Sequence, residues 1–147
     1  MDRQELTRAI KEAASAEGFD LAGVAPAVLP ARYGQTLSAW LGRGDHGLMS
    51  YMERTADKRS DAQAWLPAAR SVLVLAKNYN RDPEPKPAAP AGRVARYAWG
   101  RDYHRLLGKA LERLCDRIRS LAGEGTQLKM SVDAGPVLER AYAREAG

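Results

Sequence analysis

Cysteine, histidine and phenylalanine are scarce: the 147 residues hold a single Cys115, two histidines and one phenylalanine. One thiol excludes an internal disulfide. It also excludes an iron–sulfur cluster held by this chain alone, since such clusters take about four thiolates. His46 and His104, with no second cysteine, make no zinc set, so no protein-bound metal is expected. No apolar run approaches the roughly 20 residues that cross a bilayer, which predicts no membrane partner. The opening MDRQELTRAI lacks the basic segment and apolar stretch of a secretory signal, and the expected location is the cytosol. The chain is read as lacking the dinucleotide-binding fingerprint, the P-loop and the nucleophile elbow, which removes the commonest nucleotide-binding and hydrolase chemistries.

What is present is a basic, globular composition. Hydrophobic residues make up 45% and charged residues 28%, with 23 Lys plus Arg against 18 Asp plus Glu, a net charge of +5. This size suits one compact domain over residues 1–147, and the cationic excess favours a polyanionic partner such as a nucleic acid. Asp2 and Glu5 form a capping-box pattern that opens a helix with Leu6, Ala9, Ile10 and Ala13 on one face, ending at Gly18. Phe19 to Ala25 reads as a buried strand. A helix follows through Leu37, Trp40 and Leu41. After the turn forced by GRGDHG, another short helix starts around Leu48, Met49, Tyr51 and Met52. Ser71 to Ala76 is the apolar run of a central strand covered on both faces. The four prolines between Arg81 and Gly92 predict a surface loop over 81–92 and no domain boundary. The clearest helix runs from Asp102 to Gly123 on an apolar stripe that includes Cys115, which is therefore read as an inert core thiol. Leu128, Met130 and Val132 alternate as a third strand, and a last helix starts near Pro136. The fold class is α/β in the mixed α+β sense, a small mixed sheet flanked by helices.

Three groups can carry chemistry. Asp133 stands at the expected carboxyl end of the third strand, where open sheets bind ligands. It is either an ionised cap of the next helix or, in apolar surroundings that raise its pKa, a proton donor; the two readings require opposite charge states. The stretch ARYAWGRDYH, residues 95–104, offers Arg96 and Arg101 to clamp oxygens and Tyr97 and Trp99 to stack on a flat ligand, or else it plugs the core with its aromatics. Arg101, Arg105, Lys109, Arg113 and Arg117 recur every four residues, read as a solvated helix face ahead of a track for phosphates.

Four ordered blocks carry a resemblance: HGLMSYM at His46–Met52, the LP…SV…NY block around Ser71–Tyr79, RYAWGRDYH at Arg96–His104, and VDAGPVLER at Val132–Arg140. Over nearly the whole chain the sequence resembles the N-terminal part of the epoxyqueuosine reductases. The resemblance implies an oxidoreductase that uses cobalamin and two [4Fe-4S] clusters to reduce the epoxide of epoxyqueuosine in tRNA. It also implies a monomer and a corrinoid-binding domain like the nitroreductase-like domain of reductive dehalogenases. Asp133 matches the family's proton donor. Arg96, Tyr97, Arg101, Asp102, Tyr103 and His104 match the motif assigned here to the corrinoid and substrate pocket, with Lys77, Asn78 and Tyr79 at the edge after the central strand. Glu139 and Arg140 are read as a structural ion pair. The family's Cys-rich region lies beyond the matched part, so the fragment is expected to be inactive alone and is read as truncated. A non-catalytic corrinoid- or RNA-binding module, or a relative of reductive dehalogenases acting on a small molecule, are the competing readings.

Overall fold

The computed structural model describes residues 1–80, 92 and 94–147; the expected proline-rich loop lies almost entirely outside them. Helix α1 (Arg3–Ala16) opens as its sequence dictates: the Asp2 carboxylate accepts from the Gln4 and Glu5 amides while Glu5 accepts from the Asp2 amide. Gly18, at φ +90°, turns the chain into strand β1 (Leu21–Pro26). Helices α2 (Ala31–Gly42), α3 (Ser50–Arg54) and α4 (Ala56–Arg59) follow, then strand β2 (Ser71–Ala76), helix α5 (Tyr103–Ala122) and helix α6 (Glu139–Glu145). Among the described residues no helix is long and apolar enough to cross a membrane.

The sheet has two strands, antiparallel, with Leu21 opposite Ala76 and Pro26 opposite Ser71. Side chains alternate across it, as the pleat requires. Ala22, Leu73 and Leu75 face a core of Ala13, Ala14, Phe19, Ala110, Leu114 and Ile118, built by α1 and α5. Ala25, Val72 and Val74 face a second core in which Tyr142 of α6 and Ala27, Leu29 and Ala62 are buried. Gly23 is required at its position: a Cβ there would stand 2.8 Å from both Cβ and O of Ala146, so the end of α6 packs directly on the strand backbone. Helices thus cover both faces of β2, in agreement with its apolar run.

Two expectations are corrected. The sheet is not mixed and β2 is not central, because Leu128–Val132 forms no strand among the described residues. Alternation is there, but a strand exists only through ladder hydrogen bonds, and this stretch has no ladder partner. The last helix starts at Glu139, three residues later than Pro136 suggested. Gly135 to Leu138 are held in other bonds: the Val137 amide donates to the Gly135 carbonyl and the Leu138 amide to the Arg59 carbonyl, at 2.9 and 2.8 Å. Gly42, Gly44 and Gly47 do fall at G-x-G-x-x-G spacing, but they follow a helix instead of a strand, so the context for dinucleotide binding is missing. After them Leu48 in the turn and Tyr51 in α3 face solvent, outside either core.

Candidate active site

A cavity of about 1540 Å³ lies along β2 and α5, lined also by residues 125–133. It exceeds the roughly 300–1,000 Å³ of ordinary small-ligand pockets. Much of its wall is apolar, with Val72, Leu73, Val74, Leu107, Leu111 and Val132 contributing. Cys115 also lines it, half-buried, and burial pushes its thiol up, which keeps it in the unreactive protonated form.

Asp133 lies on the cavity wall, exposed, in a tight turn closed by the Ala134 amide donating to the Val132 carbonyl at 2.6 Å. Its φ of +58° is in the left-handed region, one that Asp tolerates better than most residues but that still carries strain. The Tyr103 hydroxyl donates to Asp133 Oδ2 at 2.7 Å. That bond, with desolvation second, pushes the phenol up to about 12. Glu139 lies beside Asp133 and is pushed up by partial desolvation first and by the Asp133 charge second. It makes no ion pair with Arg140 among the described residues; neighbours in a helix point about 100° apart.

The residues singled out from the sequence divide in two. Lys77, Asn78, Tyr79, Arg96, Tyr97, Arg101, Tyr103 and Asp133 all reach the cavity wall. Asp102 and His104 do not: Asp102 caps α5 by accepting from the His104 amide at 3.0 Å, and the same oxygen meets His104 Nδ1 at 2.9 Å. Both bonds hold the Asp102 carboxyl below its ordinary range, the side-chain bond more. Lys77 is tied back to the Gly18 carbonyl at 2.6 Å and to Asp20, so its charge is spent on closing the β1–β2 end. Arg96 bonds Asn80 and lies over the Trp99 ring, whose indole N–H donates to the Val94 carbonyl at 2.9 Å. Tyr79, Tyr97 and Tyr103 meet edge to face in series, at 6.5 and 6.0 Å between ring centres. Trp65 and Lys129 were missed. They form a cation–π pair at 4.7 Å on the cavity wall, and only the fold brings them together across 64 residues of sequence. The basic row of α5 faces solvent, with Arg113 held by Glu17 of α1 at 2.6 Å.

The family model described as "Epoxyqueuosine reductase QueG, DUF1730" matches residues 59–134, just over half of the chain. The chain belongs to the epoxyqueuosine reductase family. It is 35% identical over 98% of its length to an epoxyqueuosine reductase of Leadbetterella byssophila, of which it spans 47%. It is 40% identical over 94% of its length to one of Gloeobacter violaceus, of which it spans 42%. A crystal structure of epoxyqueuosine reductase with an epoxyqueuosine-modified tRNA-Tyr stem loop superposes with a TM-score of 0.76 at 27% identity, covering 99% of this chain and 39% of that one. The chain therefore spans somewhat less than half the length of these epoxyqueuosine reductases. The matched segment contains β2, α5, the tyrosine series and Asp133, which is most of the cavity wall.

Proposed function

We propose that this chain forms the corrinoid- and substrate-facing part of a cytoplasmic epoxyqueuosine reductase that acts on tRNA. The observation that carries this reading is Asp133, strained and tyrosine-bound, on the wall of a cavity too large for an ordinary metabolite. Epoxyqueuosine and the queuosine that its reduction gives differ by one epoxide oxygen. Its loss as water takes two electrons and two protons.

The cavity fits a corrinoid by size, by its apolar strand wall and by its tyrosines, and Tyr79, Tyr97 and Arg101 would hold such a ring. A bound cobalamin supplies the electrons. The chain's own residues supply the rest. An opened epoxide leaves an alkoxide, and a carboxylic acid within hydrogen-bond reach stabilises it by giving up a proton as charge develops. Asp133 takes that role. The carboxyl is exposed in the chain alone, so a ligand covering it would have to supply the desolvation that the acid role needs. The iron–sulfur clusters do not fit here: one half-buried cysteine cannot ligate a [4Fe-4S] group, and no step is assigned to one. Kinship with the nitroreductase-like corrinoid domain of reductive dehalogenases is part of the same proposal.

Two measurements test it. Cobalamin mixed with the chain is expected to co-elute with it and to change its visible spectrum; free elution with an unaltered spectrum overturns the corrinoid assignment. In a complete enzyme carrying this segment, Asp133→Asn is expected to keep cobalamin and to lose turnover. Turnover within about threefold of the parent, a barrier change under about 0.7 kcal/mol, removes Asp133 from the acid role.

A further inference from the structure

Tyr103 is the first residue of α5, and its ring is fixed on both sides. It stacks on His104, with ring centres 4.1 Å apart and planes 28° from parallel. Tyr97 meets it edge-on at 6.0 Å. His104 is itself held by the Asp102 oxygen that caps the helix, so the cap, the imidazole and the phenol form one supported unit. From that unit the hydroxyl reaches Asp133 Oδ2 at 2.7 Å. Among the described residues Oδ1 accepts from no other group.

We propose that Tyr103 is the positioning residue for proton delivery at this site: by occupying Oδ2 of Asp133 it leaves Oδ1 as the oxygen that takes up, holds and delivers the proton. The proposal rests on the reading of Asp133 as the acid. In the step, the O–H bond at Oδ1 breaks and its electron pair stays on the carboxylate. A new O–H bond forms on the departing substrate oxygen. Tyr103 keeps its own proton throughout, and its O–H stabilises the carboxylate left behind. A phenol pushed up to about 12 is a fixed donor at neutral pH and no second acid. The other titratable groups facing this pair are Glu139 from α6, with Tyr97 and Asp102 beside the phenol.

The 147-residue chain itself permits the test, because the phenol can be titrated without turnover. Loss of a donor to the carboxylate disfavours its charged form. Reciprocally, Asp133→Asn is expected to bring the Tyr103 phenol, followed by tyrosinate absorbance, down from about 12 towards its ordinary value of 10.0. In a complete enzyme carrying this segment the alkaline limb of kcat is expected to move to higher pH in Tyr103→Phe, with KM unchanged. An unmoved Tyr103 titration in Asp133→Asn and an unmoved pH limb in Tyr103→Phe, in a setting where Asp133→Asn abolishes turnover, overturn the positioning role alone. Full turnover by Asp133→Asn overturns the acid reading, and the catalytic meaning of Tyr103 falls with it even if the titrations remain coupled.

Discussion

At the scale of single residues, a backbone can hold a side chain where propensity would not. Asp133 is the clearest case: an acidic residue with φ of +58° persists only where its surroundings over-determine it, and the turn bond on one side and Tyr103 on the other do so. Tyr142 is the structural counterpart. It is 1% exposed, and its hydroxyl accepts from the Ala62 amide at 3.0 Å and donates to the Ala27 carbonyl at 2.7 Å. Removing that oxygen loses both bonds, although the Ala62 amide keeps its own 2.9 Å bond to the Ala27 carbonyl. Tyr142→Phe is therefore expected to lower the unfolding free energy by about 0.5–1.5 kcal/mol, measured by denaturant titration. A change within error would show that the bond between the two backbone groups suffices by itself.

At the scale of elements, the termini of helices and strands are held by carboxylates read correctly from the sequence in some places and not in others. The capping box at Asp2 and Glu5 and the Asp102 cap are local, within three residues, and so were legible or could have been. The clasp that closes the β1–β2 end is not local. Asp20 accepts from the Asn78 amide at 2.7 Å and from Lys77, residues nearly sixty positions away. The Asn78 amide first and the Lys77 ammonium second hold the Asp20 carboxyl below its ordinary 3.8. A depressed folded-state value means the clasp contributes fully above pH 3.8 and is lost as the pH falls through the lower folded value. Amide exchange at Asn78 is expected to stay slow down to that point and to accelerate below it, whereas Asp20→Asn flattens the profile. The same distinction explains the missing third strand. Its period-2 pattern is local, but the ladder that makes a strand is tertiary, and Leu128–Val132 borders the cavity instead of pairing.

For the whole molecule, one thin sheet separates two cores, and each strand contributes alternate side chains to both. That arrangement predicts one cooperative unit. Leu114, 1% exposed in the first core, is expected to cost about 2–5 kcal/mol on replacement by alanine. Combined with Tyr142→Phe in the second core, the losses should add within about 0.5 kcal/mol in a single unfolding transition. Two separate transitions would show that the cores fold independently.

By itself the sequence determined the local matters: the starts of α1 and α5, the apolar runs of β1 and β2, and the crowding of arginines and tyrosines into one stretch, because each depends on neighbours a few residues away. Tertiary structure alone decided that the sheet ends at two antiparallel strands, that Asp133 sits in a strained turn facing Tyr103, that Trp65 meets Lys129, and that Asp102 and His104 support the cavity from behind. Those facts depend on which distant segments pair, and pairing is settled by packing and ladder bonds that no residue's own neighbourhood records.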